Sequence, residues 1–237
     1  MRAAQRDPAF GGLKAMAQVQ TFDLATLPPA ASLRSVSAAP ARITGRNALR
    51  VELTESVSAG EYGRDYVDMP TFAILPAEFE NGTISVDVLA RLNGHAPDIA
   101  RGFAGIAYRI VGAGDRFECV YLRPLNGRPL NPPPPRDKRA VQYFAYPDWR
   151  FERLRQEYQD GRYEAGADIA ADRWINLAVH VDRLKLRVEV DGKEVLSLDQ
   201  AKAAPVRGNV GLFVDIGTVA FFSRLRITES DARQNSN

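Results

Sequence analysis

Short segments of alternating apolar and polar residues, separated by turn residues, recur along this chain from Thr21 onward. The clearest pair runs from Leu184 to Val190 and from Glu194 to Leu198, with Asp191-Gly192 in the turn between them. An Asp-Gly pair between two alternating runs predicts a β-hairpin, because both central turn residues need positive φ. Since a strand with alternating polarity buries one face only, we expect two packed antiparallel sheets, an all-β fold.

The same alternation predicts strands in several other segments and sets the domain organisation. These segments are 48–53, 83–90, 102–110, 116–123, 174–181, 208–214 and 219–227. A run of four prolines at 132–135 predicts an exposed loop, and residues 148–158 are the best helix candidate. No repeat with a period of about 20–50 residues is visible, which argues against a propeller or solenoid. We expect one domain over residues 21–228, a disordered or artificially added tail at 1–20, and a C-terminal tail at 229–237.

Composition removes several functional classes. The 237 residues include 31 basic and 29 acidic side chains, a balance that does not favour a nucleic-acid or membrane partner. One cysteine excludes an intrachain disulfide, and two histidines argue against a histidine-rich zinc site, so we expect no metal cofactor. No apolar run reaches the ~20 residues of a membrane span, and no secretory signal is visible. A cytoplasmic location and a processed secreted or periplasmic one both stay open.

An ordered series of segments resembles the concanavalin A-like lectin/glucanase superfamily. It includes Phe79-Glu80-Asn81-Gly82-Thr83, Phe103-Ala104-Gly105-Ile106, Trp174-Ile175-Asn176-Leu177, Gly208-Asn209-Val210-Gly211-Leu212 and Ala220-Phe221-Phe222-Ser223. Within that superfamily the chain is most similar to the 3-keto-disaccharide hydrolase-like group. The resemblance implies a jelly-roll sandwich that binds carbohydrate on a concave sheet face and its rim loops.

Glycoside hydrolysis normally needs two carboxylates. In an E-x-D-x-E strand, residues i and i+2 share a face about 6.6 Å apart, but this chain lacks that signature of laminarinase-like members. The candidates for a general acid or base are Glu118, Glu164 (on a predicted loop) and Asp215 (within an apolar hairpin). Burial of Asp215 would raise its pKa toward a useful range for acid–base chemistry.

Arginine and aromatic side chains are the candidates for ligand binding. Alternation places Tyr121 and Arg123 on one face of a hairpin strand and Glu118 on the other. Tyrosine rings stack on sugars, and guanidinium groups donate paired hydrogen bonds. The full set of binding candidates is Arg64, Arg109, Tyr121, Arg123, Gln142, Tyr143, Tyr146 and Trp149. Residues 141–149 form the densest aromatic segment, which we interpret as a loop that either presents a sugar platform or anchors itself on the sheet.

Two further clusters leave alternatives open. Asp65 and Asp68 are a weak calcium candidate, and an Arg64–acid ion pair is the competing interpretation. Basic residues crowd 136–155, which suits either an anionic sugar such as a uronate or an ordinary solvated surface. The sequence thus predicts carbohydrate binding or processing, with a glycoside hydrolase-like or lyase-like activity left open. The alternative is a non-enzymatic structural or protein-interaction domain.

Overall fold

Strands dominate the computed structural model of this chain, which describes residues 18–230. They account for 50% of it and helices for 9%, so the predicted all-β class is confirmed. In chain order the elements are β1 (Val19–Phe22), β2 (Ser32–Arg34), β3 (Val36–Ile43), β4 (Arg46–Leu53), α1 (Glu55–Ser58), β5 (Phe72–Phe79), β6 (Gly82–Leu92), β7 (Ala104–Val111), β8 (Arg116–Leu122), β9 (Val141–Tyr146), α2 (Phe151–Glu157), β10 (Glu164–Ala165), β11 (Ile175–Asp182), β12 (Lys185–Val190), β13 (Lys193–Leu198), β14 (Gly208–Val214) and β15 (Thr218–Glu229).

These strands form two antiparallel sheets. The first has the order β13-β12-β11-β6-β15-β4-β3, and β1 also pairs with the long strand β15. The second has the order β10-β9-β8-β7-β14-β5-β2. The chain crosses repeatedly from one sheet to the other, as when β14 of the second sheet is followed by β15 of the first. One core cluster contains buried residues from both sheets, so the two sheets pack as a sandwich.

Buried aromatic rings fill much of the core of the second sheet. Phe117 packs edge-on against Phe72 at 5.0 Å and against Phe144 at 5.5 Å, and Phe144 contacts Phe213 at 5.7 Å. All four rings are almost fully buried. At about 1.5–3 kcal/mol for each buried large apolar side chain, such clusters supply much of the driving force that holds the strands in place.

Most local predictions are confirmed, with three corrections. The Asp-Gly hairpin joins β12 to β13, and the helix expected over 148–158 runs from Phe151 to Glu157. The aromatic segment expected to be a loop is largely strand β9, which pairs with β8 on one side and β10 on the other. The side chains on both faces of this strand are buried. Glu164 likewise lies in the short strand β10 rather than a loop. Strand β1 begins at Val19, inside the expected N-terminal tail; the rest of that tail lies outside the described residues.

Within residues 18–230, no helix combines the length and apolar character that a membrane span requires.

Candidate functional site

A cavity of about 230 Å³ lies at one end of the second sheet, beyond the last residues of β8. Loops from four parts of the chain enclose it: residues 62–67 before β5, 99–103 before β7, 123–139 between β8 and β9, and the turn between β14 and β15 at Asp215. Helix α2 adds Phe151 and Arg155 to the wall. The site is therefore built by loops that a rigid sheet holds together, the usual location of binding residues.

Four aromatic rings line the cavity: Tyr62, Phe103, Tyr121 and Phe151. Tyr121 is at the end of β8 and packs edge-on against Phe103 at 5.9 Å. Gly105 lies opposite Tyr121 in the sheet, and a Cβ atom there would be 2.8 Å from the Tyr121 Cβ. Two backbone atoms of β8 would be closer still, the Val120 carbonyl oxygen at 2.1 Å and the Tyr121 Cα at 2.5 Å, so glycine here allows β8 to approach β7 closely. Burial raises the pKa of Tyr121 well above its usual value, so its hydroxyl stays protonated.

Five arginines face the same cavity: Arg101, Arg123, Arg136, Arg139 and Arg155. Three of them share one carboxylate. Glu164 Oε1 accepts hydrogen bonds from Arg123 Nη1 at 2.6 Å and from Arg155 Nη2 at 2.6 Å, and Arg139 Nε lies 3.3 Å from Oε2. Burial acts to raise the pKa of Glu164, but the hydrogen bonds and charges of Arg155 and Arg123 outweigh it and lower the pKa. Glu164 is thus an ionised counter-charge, a role that does not suit a proton donor.

Arg123 is itself almost fully buried and tightly held. Its Nη2 donates to the Tyr121 hydroxyl at 2.8 Å and to Gln142 Oε1 at 3.1 Å. Gln142 lies opposite Tyr121 on β9, and its own Nε2 donates to the carbonyl of Tyr143 at 2.6 Å. The structure thus brings together Tyr121, Arg123, Gln142 and Glu164, four of the residues selected from the sequence.

Asp215 contributes a carboxylate to the cavity wall, and it holds the strained segment Val67-Asp68 in place through hydrogen bonds. It accepts hydrogen bonds from the backbone N–H groups of Val67 and Asp68, each at 2.9 Å, and of Ile216 at 2.7 Å. Val67 has φ 74° and Asp68 φ 54°, left-handed values that are costly for a β-branched residue. Such strain persists only where the surroundings enforce it, and it concentrates at functional sites. Burial raises the pKa of Asp215, while these N–H donors oppose the rise.

Asp68 lies behind this wall and is completely buried. Its Oδ2 accepts the N–H of Phe151, the first residue of α2, at 2.7 Å, while its Oδ1 has no partner among the described residues. Burial, as the largest cause, raises the pKa of Asp68 to about 7. The N–H of Phe151 acts to lower this pKa, the charge of Asp215 acts to raise it, and Arg123 and Tyr121 act to lower it. Asp68 therefore couples the strained segment to the helix that carries Phe151 and Arg155.

Asn126 supplies an unsatisfied polar atom in the wall. The residue is 4% exposed, and its Nδ2 donates to the carbonyl of Arg139 at 2.9 Å, which fixes the orientation of the amide. Its Oδ1 is buried and has no hydrogen-bond partner among residues 18–230. An unpaired buried acceptor costs about 1–3 kcal/mol, so this part of the wall carries an energetic cost that the fold tolerates.

A second buried polar network holds three other predicted residues away from the cavity. Arg109 Nη1 donates to Glu118 Oε1 at 2.7 Å, and the Tyr143 hydroxyl donates to Glu118 Oε2 at 2.5 Å. The remaining Arg109 donors reach the carbonyls of Glu80 and Arg183 and the side chain of Asn81. Burial raises the pKa of Glu118, opposed by Arg109 and Tyr143. None of the three lines the cavity, and the network ties the second sheet to neighbouring turns.

The last three binding candidates also lie outside the cavity wall. Arg64 is exposed and pairs with Glu61 and Asp65, the ion-pair alternative to a calcium site. Tyr146 stacks on Phe117 at 5.2 Å. Trp149 is half-buried against the core, with the Arg153 guanidinium 4.0 Å from its ring, which matches the anchoring interpretation of the aromatic segment. Among the described residues, no group of three His, Cys, Asp or Glu side chains is placed to hold a metal ion.

Sequence reasoning did not select several residues of the cavity wall: Tyr62, Arg101, Phe103, Asn126, Arg136, Arg139, Phe151 and Arg155. The crowding of basic residues over 136–155 was the available signal. It was ambiguous because Lys138 and Arg153, in the same stretch, do not line the cavity.

Comparison with solved structures finds the same β-sandwich fold in other proteins. The chain is similar to carbohydrate-binding module CBM66 from Bacillus subtilis (12% identity, TM-score 0.52, covering 84% of this chain and 98% of that one). It is also similar to a Bacillus subtilis protein of unknown function with a galectin-like fold (10% identity, TM-score 0.54, covering 90% and 98%). At these identities the likeness concerns the fold. No protein-family model matches the sequence, and comparison with curated proteins finds no match.

Proposed function

We propose that this chain binds carbohydrate in the cavity at the end of the second sheet. The observation that carries the proposal is the pairing of four aromatic rings with guanidinium groups in one cavity wall. Sugar rings present C–H faces that pack on aromatic rings and hydroxyl groups that accept hydrogen bonds from guanidinium groups. The volume of about 230 Å³ is below the about 300–1,000 Å³ of sites for drug-sized ligands, so it fits one sugar ring rather than a long chain. The carbohydrate-binding module with the same fold supports this proposal.

We favour binding over hydrolysis because the cavity wall formed by residues 18–230 lacks a carboxylate pair. Asp215 is the acidic side chain lining it within the described residues, and three backbone N–H groups occupy that carboxylate. Glu164 is held ionised by arginines, and Glu118 lies in a separate network. Hydrolysis with two carboxylates would need a second free acid at about 5–9.5 Å from the first.

The test is a titration calorimetry and glycan-array screen of neutral and acidic mono- to trisaccharides. We expect binding by the wild-type chain and at least about tenfold weaker binding by Tyr62→Ala, since Tyr62 is 48% exposed and its ring contributes little to the core. Trp174→Ala is the control, because Trp174 is a half-buried aromatic residue that packs against the first sheet. This variant should bind sugar as the wild type does. Silence across all sugars would reject the proposal and favour the alternative of a structural or protein-interaction domain.

A further inference from the structure

The arginines that line the cavity carry more positive charge than the carboxylates beside them neutralise. Arg123, Arg139 and Arg155 share Glu164, but Arg101 and Arg136 pair with no carboxylate among residues 18–230. Arg101 Nη1 is bonded only to the carbonyls of Asp98 and Ala100, each at 2.6 Å. Five guanidinium groups thus face one cavity that the carboxylates of Glu164 and Asp215 neutralise only in part.

Burial and the crowding of these positive charges lower the pKa values of two of the arginines. Burial lowers the pKa of Arg101, and the neighbouring charges of Arg136 and Arg123 lower it further. Burial also lowers the pKa of Arg139, with the charge of Arg155 adding to the effect. Like charges gathered beside a partly enclosed cavity repel one another more strongly than they would in open water. A bound anion would relieve that repulsion.

We propose that the carbohydrate is acidic and that its carboxylate binds between Arg101 and Arg136, which makes a uronic acid residue the ligand class. This inference rests on the proposed function. The planar guanidinium group matches a carboxylate with two parallel hydrogen bonds. The aromatic walls then pack against the sugar ring that carries the carboxylate. An inorganic anion would satisfy the arginines but leave these aromatic walls without a partner.

The experiment compares uronic acid disaccharides (glucuronate, galacturonate and mannuronate) with their neutral counterparts and with a sulfated disaccharide, by calorimetry at low and moderate salt. We expect a uronate to bind at least about tenfold more tightly than its neutral counterpart, because its carboxylate accepts charge-assisted hydrogen bonds, which are roughly twice as strong as neutral ones. Its affinity should fall as salt rises, whereas that of the neutral sugar should not.

Arg101→Gln and Arg136→Gln should each remove most of the preference for the uronate, measured in each variant as the ratio of its affinity for the uronate to its affinity for the neutral counterpart. Lys138→Gln removes the same charge from the same turn as Arg136 but outside the cavity wall, and it should preserve the preference. Equal affinity for uronate and neutral sugar would overturn the inference and leave the proposed function standing. Tighter binding of the sulfated sugar would overturn the carboxylate assignment, and silence of every sugar would reject both proposals.

Discussion

Replacing Asp68 with asparagine should change how the stability of this protein depends on pH. Asp68 is completely buried, and burial raises its pKa to about 7 from an ordinary value of 3.8. Between these values the folded chain keeps the proton that the unfolded chain has released. Stability therefore falls as pH rises through this window and levels off once Asp68 is ionised in the folded state.

The magnitude follows from the width of that window. From pH 5 to the folded pKa is about two units, each worth about 1.4 kcal/mol, so the Asp68 carboxyl alone removes on the order of 3 kcal/mol between pH 5 and pH 8. Asp68→Asn has no proton to lose, and its amide oxygen still accepts the N–H of Phe151. By the same reasoning the variant is already the more stable protein at pH 5, and its advantage over the wild type should grow by about 3 kcal/mol between pH 5 and pH 8, which corresponds to a gain of about 6–12 °C in relative melting temperature.

Urea denaturation of both proteins at pH 5 and pH 8 measures this difference directly. The other titrating groups are common to both proteins and cancel in the comparison. Asp65→Asn is the matched control, since Asp65 pairs with Arg64 at the surface and hydrogen bonds from Arg64 lower its pKa. If Asp68→Asn and the wild type lose the same stability between the two pH values, Asp68 is already ionised in the folded protein and the reasoning is wrong.

Three other substitutions or reactions test the placement of side chains outside the cavity. Trp149→Ala should lower stability by about 2 kcal/mol, seen as a lower melting temperature, because the ring packs on the core. Sugar affinity should stay unchanged, since the ring does not line the cavity. Weaker binding at unchanged stability would show instead that Trp149 is a sugar platform. Arg109→Leu should destabilise by about 3–5 kcal/mol in urea denaturation because it leaves Glu118 buried without its partner, and a near-wild-type midpoint would contradict that. Cys119 should resist thiol reagents in the native protein and react after unfolding, since burial raises the pKa of its thiol well above the usual value; rapid labelling of the native protein would place it in an accessible environment.

Much of the architecture was readable because it is a local property of the chain. Period-two alternation identified β7, β8, β11, β12 and β13, and Asp191-Gly192 identified one hairpin turn. The aromatic strand β9 was misjudged as a loop because its apolar and polar residues do not alternate: both of its faces are buried, so the pattern that marks a half-exposed strand is missing.

The sequence by itself determined the fold class and the face shared by Tyr121 and Arg123, because a strand fixes the direction of successive side chains. Tertiary structure alone decided which loops meet at the end of that strand. Val67 donates to Asp215 across 148 positions of the chain, and Arg123 pairs with Glu164 across 41, and these contacts form only when the distant strands of the second sheet come together. The sequence shows that each arginine is charged. Whether that charge faces solvent or a shared cavity depends on loop packing, which no local sequence pattern encodes.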